Sequence, residues 1–366
     1  MRLRANQQTD LPCGSPGSES NLGKKSERLA ELDALRGLAA LAVVFFHLLP
    51  AEVYWGWMGV DVFFVLSGFL ITRIILQGHR RVDFLKNFYV RRILRIWPAY
   101  YLALAGALVL ALMSRTHQPM GGLPYALFFV QNTPAYWGHP TPPFTLRMGH
   151  TWTVAMEEQF YIVWPLIVPR LSRTFPWVAL LLLLIAFVMR LSLPTRPDLL
   201  LTRCDGLVFG AGIAWYWSRR GALEKHQRAR LIWFALFGLV LVYGFWGTLV
   251  YGKPFLDGIP LWPAPTFLVV SLFAALLVTG VLTLAGSPIL APLRVPALVY
   301  VGRISYALYL FHKLVFWIAD GLLERFGWGR SVIFNIAVVV CSLGVAMASW
   351  QLIEKPILSR ASRFPV

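Results

Sequence analysis

Cysteine is scarce in this chain. Cys13, Cys204 and Cys341 are scattered over 366 residues. That number and spacing make neither a disulfide framework nor a metal-ligand motif, so no metal is expected. Charge is scarce too: 14% of residues are charged, and Lys plus Arg outnumber Asp plus Glu 34 to 17. The alternating ten-residue segments of an outer-membrane barrel are missing, which excludes that class. No internal repeat is apparent. A cleavable signal peptide is not expected either: polar residues fill positions 1–30, and the first apolar block is already of spanning length.

Apolar sequence is what the chain has in abundance. It is 57% hydrophobic with a mean hydropathy of +0.61, and the apolar residues come in blocks of about twenty, the length of a membrane-spanning helix. The expected fold is therefore all-α: a polytopic bundle of about ten transmembrane helices. The spans are expected at 32–50, 59–76, 91–113, 150–169, 176–193, 203–218, 230–250, 263–286, 297–319 and 331–353. Between the third and fourth, LPYALFFVQN (123–132) is too short to cross and reads as a re-entrant or interfacial helix. Residues 1–30 read as a disordered tail, 31–356 as one transmembrane domain and 357–366 as a second tail.

A net charge of +17 would suggest nucleic acid in a soluble protein. Here the Lys and Arg concentrate in the N-terminal tail and in the connections at 79–95, 170–175, 219–230 and 287–296. They read as positive-inside topology signals instead. Both termini are then cytoplasmic, the expected partner is a lipid bilayer, and nucleic acid is not expected.

The first span, LDALRGLAALAVVFFHLLP, carries Arg36 and His47 eleven residues apart. On a helix that is about 16 Å of rise and three turns plus roughly 20°, so the two share one face. Ionisable groups at membrane depth face the bundle interior and mark function. Asp61 enters the second span near the depth of His47, and Glu157 lies about 10 Å below the outer start of its own span. His47, Asp61 and one glutamate of the Glu157–Glu158 pair are thus expected to meet in the outer half of the bundle. A carboxylate on one ring nitrogen would make the imidazole a general base. At the other end Arg36, Arg91, Arg92 and Arg95 form an expected basic mouth, since guanidinium groups suit phosphates.

Other polar residues are candidate cavity lining. Ser67 sits beside Gly68 in VLSGFL and reads first as a helix-packing residue. Asp205 either pairs locally with Arg203 or lines the cavity. Tyr306, Tyr309 and His312 recur at helical spacing in RISYALYLFH and form either one wall of the site or a packing stripe. Tyr161, one turn after Glu157, and Trp152 complete the set. Tyr136, Trp137 and Trp152 read either as residues that stack on sugar rings or as ordinary membrane-interface aromatics. Glu354 and Lys355, before Pro356, read as a helix-end feature.

Taken in order, LDALRGLAALAVVFFH, GVDVFFVLSGFLIT, YVRRILRIWPAYY, TWTVAMEEQFYIVWP, TRCDGLVFGAGIA, GRISYALYLFH and IEKP resemble the acyltransferase 3 family of integral-membrane O-acyltransferases. The resemblance runs from residue 32 to 356. It implies a bundle that takes an acyl group, usually acetyl, from cytoplasmic acyl-CoA as co-substrate, with no bound cofactor. The group passes to a hydroxyl of an extracytoplasmic or lipid-linked carbohydrate at the bacterial inner membrane. It also implies that Arg36, His47, Arg92 and Arg95 are functional positions, with Glu157 carried over in preference to Glu158. Some relatives append an extracytoplasmic hydrolase-like domain, which is not expected here. The competing expectation is a secondary transporter or exporter of a small anion, with buried Glu and His as a proton relay. It lacks the inverted repeat that such folds show.

Overall fold

The computed structural model describes residues 29–113, 121–133, 148–171, 173–193, 198–220, 237–238 and 263–366. Among these residues the fold is entirely helical. The tail 1–28, all but two residues of the expected span at 230–250 and most of the outer connection, with Tyr136 and Trp137, lie outside them.

The longer helices are α1 (Ala30–Leu48), α2 (Gly59–Gly78) and α3 (Phe84–Met113). The short α4 (Leu123–Leu127) precedes α5 (Trp152–Ile167) and α6 (Phe175–Ser192). The one-turn α7 (Leu200–Arg203) leads into α8 (Asp205–Arg220). The chain continues with α9 (Pro263–Thr283), α10 (Pro296–Arg303), α11 (Ser305–Phe326), α12 (Val332–Ser349) and α13 (Lys355–Ala361).

Six helical stretches among the described residues are long and apolar enough to cross a bilayer: Trp55–Gly78, Phe84–Met113, Phe175–Ser192, Pro265–Thr283, Ser305–Phe326 and Val332–Ala361. The protein is therefore a multi-pass membrane protein. Helices α1, α5 and α8 fall outside that set for a physical reason. Helix α1 carries Glu31, Asp33 and Arg36, while α5 and α8 have 16 residues each, short of the roughly 20 that a 30 Å hydrocarbon layer asks for.

Backbone-to-backbone crossings set the bundle. Helix α2 crosses α8 at Gly68 and Gly210, and a Cβ added at either would run into a backbone carbonyl, that of Leu207 or of Val65. Gly206 and Gly210 form a GxxxG pair, the small-residue pattern that lets membrane helices approach closely. Helix α1 crosses α10 at Gly37, where an added Cβ would stand 2.9 Å from both Gly302 N and Leu298 O.

The expected single helix over 297–319 is broken. Helix α10 ends at Arg303 and α11 begins at Ser305, directly after the tight contact of Gly302 with Asp33 of α1. Near the C-terminus the chain makes a π-turn over Trp350–Glu354 before α13, with Pro356 in the first turn of that helix. Proline lacks an N–H and its ring crowds the carbonyl four residues back, which widens the turn. The expected short element over 123–132 is the five-residue α4. Its end carbonyls accept from α3: Tyr100 Oη donates to Ala126 O at 2.9 Å and Tyr101 Oη to Leu127 O at 2.8 Å. Gln131 Nε2 then donates to Thr151 O at 2.9 Å, pinning the segment to the start of α5.

Gly210→Ala forces α2 and α8 apart. The expected loss is about 1–3 kcal/mol, the range for overpacking a tight contact, read as a lower unfolding temperature of the detergent-solubilised protein. Gly212, where the nearest atom to an added Cβ is 4.0 Å away, accepts Ala unchanged. Equal behaviour of the two variants would contradict the crossing.

Candidate active site

Helix α1 presents Arg36 and His47 inward, as their spacing predicts, and other elements complete two distinct environments. The first is a narrow cavity of about 50 Å³ lined by Arg36, Glu157, Ser305, Tyr306 and Tyr309, with Val60, Phe63, Phe64, Thr153 and Val154 as its mostly apolar wall. Ser305 reaches it because the chain breaks between α10 and α11, and its hydroxyl is buried without a partner. Glu157 is held in place by hydroxyls. Ser67 Oγ donates to Oε1 at 2.6 Å, and Tyr161 Oη donates to Oε2 at 3.1 Å. Ser67, read first as a packing residue, therefore serves a carboxylate as well.

The arginines gather behind this cavity. Arg36 and Arg95 are close enough to interact electrostatically, as are Arg92 and Arg95. Arg92 lies over Phe88 and Tyr161, 5.6 and 5.8 Å from the ring centroids, and its Nε is buried without a hydrogen-bond partner. No close ion pair joins Arg36, Arg92 or Arg95 to a carboxylate among the described residues, in contrast to Arg190 and Arg203. Glu157 and Glu354 sit within electrostatic range of this group. Glu354 is buried at 4% exposure and faces inward, which its reading as a helix-end feature missed. Arg91 is drawn away: its Nη1 donates to Phe364 O at 3.3 Å.

The second environment is a cluster of three histidines. His47 Nδ1 lies 3.1 Å from His312 Nε2. His150 stands beside both, with ring centroids 6.4 Å from His47 and 4.9 Å from His312. Tyr309 separates the cluster from the cavity. Its hydroxyl donates to His150 O at 2.7 Å and lies 2.7 Å from Thr153 Oγ1. His47 faces the bundle and is not among the cavity's lining residues. His150 was missed by the sequence reading. It stands at the start of the expected span 150–169, and only its burial, with neither ring nitrogen hydrogen-bonded, singles it out.

Two carboxylates lie elsewhere than expected. Asp61 does not meet His47: Arg203 Nη2 donates to its Oδ2 at 2.8 Å and Ser271 Oγ to its Oδ1 at 2.6 Å. Arg203 is stacked 3.8 Å from the centroid of Phe267. Asp205 neither pairs with Arg203 nor lines the cavity. It takes a bidentate contact from Arg190 at 2.6 and 3.1 Å. In both cases a fully desolvated carboxylate takes the guanidinium that can reach it, because an unpaired buried charge is far more costly. Trp152 packs edge-on against Phe64 at 6.0 Å, outside the cavity lining. Tyr306 lines the cavity and donates to Ile96 O at 2.9 Å. Glu158 is buried with Oε1 unpartnered.

Because Asp61 neutralises Arg203 inside the bundle, Asp61→Ala leaves a buried charge and is expected to cost about 3–5 kcal/mol of stability. The double variant Asp61→Ala/Arg203→Met recovers most of it. Thermal unfolding of the purified protein reads both. An Asp61→Ala protein as stable as the parent would show that the pair is not structural.

Three comparisons bear on what this arrangement is. A family model described as "Acyltransferase domain", of the acyltransferase 3 family, matches residues 29–353. A Bacillus subtilis (strain 168) protein named "Putative peptidoglycan O-acetyltransferase YrhL" is 31% identical over 378 residues, covering 91% of this chain and 55% of that protein. The Listeria monocytogenes "Peptidoglycan O-acetyltransferase OatA" is 33% identical over 151 residues, 37% of this chain and 23% of that protein. The chain thus spans about half the length of the first of these relatives and less of the second. No solved structure matches it significantly. An inward-facing arginine and histidine on one helix, a cavity beside them and a family match over nearly the whole chain agree: this protein belongs to the acyltransferase 3 family.

Proposed function

We propose that this protein is a membrane O-acetyltransferase that moves an acetyl group from acyl-CoA to a hydroxyl of a carbohydrate, with peptidoglycan the class favoured by its relatives' names. The observation that carries the reading is the layout along α1. Arg36 lines a narrow cavity and lies within electrostatic range of Arg92 and Arg95, none of the three having a close carboxylate partner, while Tyr309 of the same cavity adjoins an imidazole cluster. Guanidinium groups left unpaired at membrane depth suit an incoming polyanion. In this reading the phosphates of CoA rest on Arg36, Arg92 and Arg95, and the pantetheine arm points toward His47.

The proposed chemistry is direct transfer. His47 takes the proton of the acceptor hydroxyl as that oxygen attacks the thioester carbonyl. The C–S bond breaks, and the CoA thiolate leaves with the proton that His47 then returns. Glu157, fixed by Ser67 and Tyr161, keeps the charge of Arg36 within the cavity. Asp61 takes no part, being committed to Arg203. The positive-inside bias of the connections supports a ten-span topology with both termini in the cytoplasm of a bacterium, where acyl-CoA is at hand.

His47→Ala in membranes supplied with labelled acetyl-CoA and glycan acceptors is expected to lower transfer at least 10²-fold, the scale of a lost general base, with the protein still in the membrane fraction. Transfer within a few-fold of the parent would refute the assignment. Charge reversal at Arg92 and Arg95 together is expected to raise KM for acetyl-CoA more than ten-fold and KM for the acceptor little. The opposite pattern would place the acceptor, not the donor, on the arginines.

A further inference from the structure

The hydrogen bond between the two histidines has a direction, and the backbone sets it. His312 Nδ1 lies 2.7 Å from Tyr309 O and 3.2 Å from Leu308 O. Carbonyl oxygens only accept, so Nδ1 carries the proton. A neutral imidazole has one N–H and one lone pair, which leaves the lone pair of His312 on Nε2. That atom is 3.1 Å from His47 Nδ1, so His47 must be the donor. The proton of His47 is then on Nδ1, and its lone pair is on Nε2.

We infer that His312 is a positioning residue that holds His47 in its Nδ1–H tautomer, leaving Nε2 as the atom that takes the acceptor's proton. The inference rests on the reading of His47 as the base and deepens it. The partner that a carboxylate usually supplies to a catalytic imidazole is here a second imidazole, itself fixed by a main-chain carbonyl. The carboxylates cannot fill the place: Asp61 is bound to Arg203 and Ser271, and both oxygens of Glu157 are engaged by Ser67 and Tyr161. The relay is stiff because each member is held. Tyr309, whose carbonyl starts it, is tied through its hydroxyl to His150 O. His312 is fully buried, at 0% exposure.

The test compares His312→Gln, His312→Leu and His47→Ala in the full chain, with kcat and both KM values measured for acetyl transfer. The glutamine carbonyl oxygen can accept from His47 Nδ1 where the imidazole nitrogen stood, whereas leucine cannot. His312→Leu is expected to lower kcat roughly 10- to 100-fold, the scale for losing a partner that orients an imidazole. Both KM values stay within about two-fold, and His312→Gln recovers most of kcat. A glutamine variant no better than the leucine one, or a leucine variant with the parent's kcat, overturns the inference while His47→Ala still tests the base separately. If His47→Ala retains transfer, it is the underlying reading that fails. Should His312→Leu not fold, the ¹⁵N spectrum of histidine-labelled parent protein decides, with His47 resonances assigned by their loss in His47→Ala. A proton on His47 Nδ1 supports the relay; a proton on Nε2 ends it.

Discussion

A charged side chain inside a membrane bundle must find a counter-charge or a polar cavity, since burying it alone costs several kcal/mol. That constraint sorts the arginines and carboxylates of this protein into two groups. Asp61 with Arg203 and Asp205 with Arg190 are closed pairs with nearly zero exposure, and they tie α2, α7, α8, α6 and α9 together. Arg36, Arg92 and Arg95 lack such close partners among the described residues. They share the longer-range influence of Glu157 and Glu354 around a cavity. The first group holds the bundle in shape, and the second is the one that the proposed function assigns to the donor's phosphates.

The helix crossings serve that division. Glycine at Gly68 and Gly210 brings α2 and α8 into backbone contact, which sets Asp61 near the α7–α8 turn and within reach of Arg203. Gly37 against Gly302 does the same for α1 and α10. The break at Ile304 that follows this contact lets α11 start afresh, aiming Ser305, Tyr306 and Tyr309 at the cavity and His312 at His47. Packing and chemistry are linked here through backbone geometry, and not through any single strong bond.

Much of this was legible from local pattern. Apolar blocks of spanning length announce a helical membrane protein. The eleven-residue interval between Arg36 and His47 places both on one face, and the structure shows both turned inward. The short element before α5 and the basic approach to α3 also follow from length and charge. The helix over 297–319 was read as one span although Gly302 and Arg303 interrupt its apolar run, and its break follows a contact with α1 that no local pattern records.

Helical periodicity determines which residues share a face, and that is as far as the chain alone could go. Which carboxylate meets which cation depends on the rotation and axial offset of helices remote in sequence. Asp61 and Arg203 are 142 residues apart, and His47 and His312 are 265 apart. Only the tertiary structure decided that Asp61 belongs to Arg203, that Asp205 belongs to Arg190, and that the partner of His47 is an imidazole. The physical reason is that a buried polar group takes the nearest complementary atom that packing allows, and packing is a property of the whole bundle.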